Sequence, residues 1–198
     1  MRSTCAFLLC SFWLLAWSSD AVAQPHLDTA RRYIGLTEHG VNRGAVVDRW
    51  NRAVRAPLGS PWCASYVSHC LTAANARSPR VRSAWSRAFV TSQSVPASAV
   101  LRGAYRVRAG DILIWRRSAT AGHIGFALQD WKKHKGRTVE GNTSSGLAGS
   151  QWDGGGVYVR TRDVSPYNHF RIIYITRVEY VEGNKVLGDL PRRATGVL

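Results

Sequence analysis

Two periodicities divide the chain. From residue 26 to about residue 90 the apolar positions recur every three to four residues, the spacing of a helix face. Leu27, Ala30 and Ile34 point inward from a helix over 26–35 that stops near Gly35. Asn42-Arg43-Gly44 opens a second helix with Val46, Val47, Trp50 and Val54 inward, ended by Pro57 and Gly59. A third runs from Pro61 to about Ala74, with Ser60 suited to the N-cap and Pro61 to the first helical position. On it Trp62, Tyr66 and Cys70 form one row, and Cys63, Val67 and Leu71 form the next, so the helix is expected to be well buried. Ser83 to Phe89 reads as a further short helix, and Ser92 to Ser98, with Pro96, as a loop.

After Leu101 the pattern is that of strands. Ile112 to Trp115 is a short apolar run, and His123 to Leu128 alternates, with Ile124, Phe126 and Leu128 on one face and His123, Gly125 and Ala127 on the other. Thr138 to Asn142 places Glu140 and Asn142 on a common face, because strand side chains repeat every two residues. Thr143 to Gly156 is a Gly/Ser loop without the lysine of a phosphate-binding loop. Val157 to Arg160 and Arg171 to Val178 close an antiparallel meander, and the chain frays from Gly183. The predicted class is α+β, with N-terminal helices packed on a central antiparallel β-sheet.

The N-terminus sets the expected compartment. Arg2, the apolar run Cys5 to Trp17 and the A-x-A ending at Ala23 read as a cleavable signal peptide, residues 1–23, the rival being an uncleaved anchor. The apolar run is shorter than the roughly 20 residues of a spanning helix. Residues 24–182 then form one domain and 183–198 a flexible basic tail, in a secreted or periplasmic protein. The removed segment holds one Arg and one Asp, so the formal charge of +15 is unchanged. Such a surface draws anionic envelope polymers. The basic residues are scattered rather than striped, so no nucleic-acid partner is expected. The sequence gives no oligomeric state.

Only Cys63 and Cys70 survive cleavage. Seven residues along one helix separates them by roughly 10 Å, beyond the roughly 7 Å Cα separation that a disulfide tolerates. Both are therefore expected as free thiols, Cys70 buried and Cys63 used. Cys63 lies in the first turn, where the helix dipole favours thiolate. A thiolate nucleophile needs a base, and the base an orienting acceptor. Of six histidines, His123 is the best placed, at a strand start between Gly122 and Gly125, which can admit another element such as the first turn of the cysteine helix. His169 is the weaker candidate. Either Glu140 or Asn142 can accept the imidazole N–H. Cys63 and Cys70 lack zinc spacing, and neither a cofactor nor a metal is expected.

These residues also carry a resemblance. N-R-G-x-x-V-D at 42–48, P-W-C-A-S-Y-V at 61–67, G-D-I-L-I-W at 110–115, G-H-I-G-F at 122–126, V-E-G-N-T at 139–143 and G-G-G-V-Y-V-R-T-R at 154–162 resemble, in order, the CHAP family of cysteine, histidine-dependent amidohydrolases and peptidases, related in fold to papain and the NlpC/P60 hydrolases. The resemblance implies a papain-like fold, Cys63 as nucleophile, His123 as base, Glu140 as third member, Asn142 as a nearby polar partner, and peptidoglycan as substrate. Many members carry glutamine before the cysteine, where this chain has Trp62, which leaves the backbone N–H of Cys63 as the oxyanion donor. The expected activity is cleavage of an amide in the wall peptide, by an N-acetylmuramoyl-L-alanine amidase or an endopeptidase. The alternatives are a catalytically silent wall-binding module of the same fold, an antibacterial amidase toxin, and a basic polyanion binder whose cysteine has no consequence.

Overall fold

The computed structural model describes residues 24–146, 154–164, 171–182 and 185–187. The proposed signal peptide, His169, the middle of the Gly/Ser loop and residues 188–198 lie outside the described residues. The order is α1 (Pro25–Arg32), α2 (Ala45–Ala53), α3 (Cys63–Ala73), a 3-10 turn at Ser86–Phe89, β1 (Val95–Pro96), α4 (Ala97–Leu101), β2 (Ile112–Arg116), β3 (Gly122–Ala127), β4 (Lys135–Thr143), β5 (Gly156–Asp163), β6 (Arg171–Thr176), β7 (Tyr180–Glu182) and β8 (Lys185–Leu187). This is an α+β arrangement, helices first and strands after. No helix among the described residues is long and apolar enough to cross a membrane.

β1 to β6 form one antiparallel sheet in the order β1-β6-β2-β3-β4-β5. Only β2 to β5 are a meander. β6 crosses to the far side and pairs with β2, which corrects the expectation that it would extend the meander beyond β5. Alternation along a strand says which face is buried and nothing about which neighbour it takes. The segment read as a loop at 92–98 supplies edge strand β1 and the start of α4; Pro96 is tolerated because β1 is an edge. The chain beyond Gly183 pairs again, with β8 on β7.

Alternation buries both faces of the sheet. Ile112, Ile114, Ile124, Phe126 and Val139 pack with α1, α2 and α3 through Leu27, Trp50, Tyr66, Val67 and Leu71. Leu113, Trp115, Ala127, Ile172 and Ile175 form a second core with Ala97 and Val100 of α4 and with Trp131. Ile34 is not part of the first core. α1 ends at Arg32, and Ile34 is 42% exposed. The buried Asp111 carboxylate at the start of β2 holds Arg177 beyond β6 at 3.2 Å and the Tyr105 hydroxyl at 2.8 Å. His26 is wholly buried, bonds Tyr180 and the Gly110 carbonyl, and burial pushes its imidazole down to about 4. It is a neutral core residue that locks α1 to the sheet.

Candidate active site

α3 is held rigidly from outside. It begins at Cys63, with Trp62 as N-cap, so the expected Ser60 cap and Pro61 first position are shifted along the chain. The reason is Trp62. Its ring is fully buried beside Trp50, and its indole N–H donates to Glu38 Oε2 at 2.7 Å, which turns the chain later than Pro61 alone would. Asn51 of α2 braces the approach, donating to the Ser60 carbonyl at 3.1 Å and accepting from Ser65 Oγ at 2.7 Å. Cys63 is thereby the first helical residue, and its own N–H has no intrahelical acceptor.

Opposite it, β3 carries His123. The β3–β4 ladder registers Phe126 with Val139 and Ala127 with Thr138. Toward His123 and Asn142 the strands are no longer laddered, and there the helix start meets the imidazole. The Cys63 sulfur and the His123 ring share a hydrogen bond. His123 Nε2 bonds Glu140 Oε2 at 3.0 Å, which leaves Nδ1 for the sulfur. His123 and Glu140 are buried, and Cys63 keeps 6% exposure.

Glu140 is the most heavily bonded member. Arg162 of β5 grips it with a fork, Nε to Oε1 at 2.8 Å and a terminal nitrogen to Oε2 at 2.6 Å, and the Thr138 hydroxyl donates to Oε1. Burial alone would raise its pKa. The Arg162 and His123 hydrogen bonds and charges outweigh burial and hold the carboxyl far below the usual carboxylate range. The same balance runs through the other two groups. Burial raises the Cys63 thiol, but the His123 bond, the charges of His123 and Arg117, and the Ala64 N–H bring it below its ordinary value. Burial lowers His123, but its bonds to Cys63 and Glu140 carry it above its ordinary value. A thiol shifted down against an imidazole shifted up is the arrangement that stabilises a thiolate–imidazolium pair.

Glu140-Gly141-Asn142 divides three tasks among consecutive residues. Glu140 reaches His123 across Gly125, where a Cβ would stand 2.7 Å from Glu140 Cγ and 2.8 Å from the Val139 carbonyl. Gly125 therefore makes room for the carboxylate, not for the cysteine helix as expected. Gly122 lies against Ser86 Oγ and the Trp115 carbonyl. The glycine that admits α3 is Gly141, whose Cβ would stand 2.8 Å from the Trp62 and Tyr66 rings.

Asn142 has φ +53°, at a bulge between Glu140 and Thr143. The bulge breaks the two-residue alternation that would have left Glu140 and Asn142 equivalent. In the amide orientation that satisfies its neighbours, Asn142 donates to the Gly154 carbonyl at 2.7 Å and to Asn42 Oδ1 at 3.2 Å, and accepts the Trp62 N–H at 3.2 Å. Glu140 is thus the imidazole's acceptor, and Asn142 a positioning residue at the helix start.

Compared with family models, with curated proteins and with solved structures, the chain finds no match. The geometry carries the functional reading.

The other described histidines stand apart. His69 is half-buried, bonds the Tyr33 hydroxyl at 2.9 Å and stacks on Trp50; His134 is exposed. Trp115 covers His123 from β2, ring centroids 5.5 Å apart, and the Arg162 guanidinium lies 5.8 Å from the Trp115 ring. Arg162, Thr138, Arg117 and Trp115 escaped the sequence reading. The available signal was R-T-R at 160–162, on a strand next to one bearing a single acid, but nothing distinguished it among 27 basic residues.

Proposed function

We propose that the chain is a secreted peptidoglycan hydrolase with a CHAP-like, papain-related fold, cutting an amide bond in the wall peptide. The observation that supports this best is the continuous bonded chain Cys63–His123–Glu140–Arg162, with the thiol shifted down and the imidazole up. The ordered motifs resembling that family point to the substrate, and the charge of +15 suits residence on anionic envelope polymers.

In this reading the Cys63 thiolate adds to the amide carbonyl carbon. The carbonyl π pair moves onto oxygen, where the free N–H of Cys63 receives it. Trp62 supplies no side-chain donor, since its indole N–H is spent on Glu38. The imidazolium of His123 gives its proton to the departing nitrogen as the C–N bond breaks, leaving a thioester and a free amine. Neutral His123 then takes a proton from water, which attacks the thioester; the thiolate leaves beside the imidazolium, and the product acid loses its remaining proton to solvent. Glu140, kept ionised by Arg162, holds the Nε2–H and with it the tautomer whose Nδ1 faces sulfur.

Purified sacculi provide the test. Cys63→Ser and His123→Ala are expected to lower release of new amine ends by about a thousandfold or more, with Cys70→Ala close to wild type. Binding to sacculi without amine release, indifferent to Cys63→Ser, would instead mark a wall-binding module.

A further inference from the structure

On the β6 side of β2 lies a groove of about 750 Å³, lined by none of the residues of the proposed chemistry. Three guanidinium-bearing residues, Arg87, Arg116 and Arg171, line it, with apolar walls that include Pro96, Leu101 and Ile172, and no Asp or Glu is among its described lining. Arg116 and Arg171 face each other directly across the β2–β6 ladder, and both are exposed. Like charges placed directly opposite destabilise a strand pair. Among the described residues neither guanidinium has a hydrogen bond or ion pair. Arg87 is held from below, donating to the Ser118 carbonyl at 2.8 Å and to that of Ala119, while its buried Nε–H has no partner among the described residues. A groove lined by three arginines, two of them directly opposed, and by no described acid favours an anion.

We propose that this groove binds the phosphate group of an organic phosphate ester. A carboxylate carries one charge and two oxygens, which a single arginine fork satisfies, as Arg162 does for Glu140. Three guanidiniums match the larger charge and the additional oxygens of a phosphate. The apolar walls receive the organic part of the ester, which a free phosphate ion would leave empty. The binding site stands whether or not Cys63 cuts anything.

Calorimetric titration of the full chain with phenyl phosphate, inorganic phosphate and benzoate at one ionic strength tests this. Phenyl phosphate is expected to bind about tenfold more tightly than benzoate and severalfold more tightly than inorganic phosphate. The double variant Arg116→Gln/Arg171→Gln should weaken it about tenfold. In phosphate-free buffer it should also unfold at a higher temperature than wild type, because the opposed charges are gone. Equal binding of benzoate, equal binding of inorganic phosphate, or an unchanged affinity in the double variant would overturn the proposal.

Discussion

Cys63 and Cys70 share a helix and are both buried, yet their thiols are driven in opposite directions. At Cys70 burial dominates. The bond from Tyr66 offsets only part of it, and the pKa rises far above the ordinary value. At Cys63 burial acts in the same sense and is outweighed by His123, Arg117 and the Ala64 N–H. Residue type and burial are therefore not what makes a reactive thiol. The difference lies in the charges of His123 on β3 and of Arg117 just after β2, which reach one end of the helix and not its middle. Cys70 is a small apolar filler; Cys63 is poised as a nucleophile.

The contrast can be broken at its source. Arg162→Met leaves the wholly buried Glu140 without its fork, and breaking such a pair by removing one partner costs about 3–5 kcal/mol. We expect a lower unfolding midpoint in urea. Cleavage should fall by roughly a hundredfold, as His123 loses a fixed anion behind it. Arg162→Lys keeps the charge without the fork and should recover only part of both. Cys70→Ala in the same assay should leave cleavage unaltered.

A smaller effect sharpens the contrast without touching a charge. Gly125→Ala puts a methyl 2.7 Å from Glu140 Cγ and 2.8 Å from the Val139 carbonyl, so the Glu140 side chain must shift away from His123. Destabilisation of about 1–3 kcal/mol is expected from overpacking, with cleavage reduced about tenfold or more. The NMR signal of the His123 Nε2 proton, shifted downfield by the Glu140 bond, should move upfield. Retention of that signal would show that Glu140 does not depend on the bare strand at Gly125.

Much of this was legible in the chain. The rows Trp62–Tyr66–Cys70 and Cys63–Val67–Leu71 mark α3 because its two-sided burial leaves a direct trace in apolar spacing. Alternation from His123 to Leu128 places β3, and the proximity of a second strand carrying Glu140 follows from a short turn. What was not legible depends on long-range choices. Glu38 anchors Trp62 from 24 positions earlier and moves the helix start. β6 takes β2 as its neighbour across a connection whose route no local pattern encodes. The left-handed Asn142 is a single-residue departure from strand periodicity, so its role at the Trp62 N–H was hidden behind its apparent equivalence with Glu140.

The central claim, that His123 and its neighbours lower the Cys63 thiol while burial raises Cys70, is most directly tested by the pH dependence of iodoacetamide labelling, read by peptide mapping of each cysteine. A lowered pKa means more thiolate at a given pH, so the Cys63 labelling midpoint should lie below the roughly 8.5 of a free thiol. It should move upward in His123→Ala, and native Cys70 should stay unlabelled throughout. A Cys63 midpoint at or above the free-thiol value, unmoved by His123→Ala, would contradict the account.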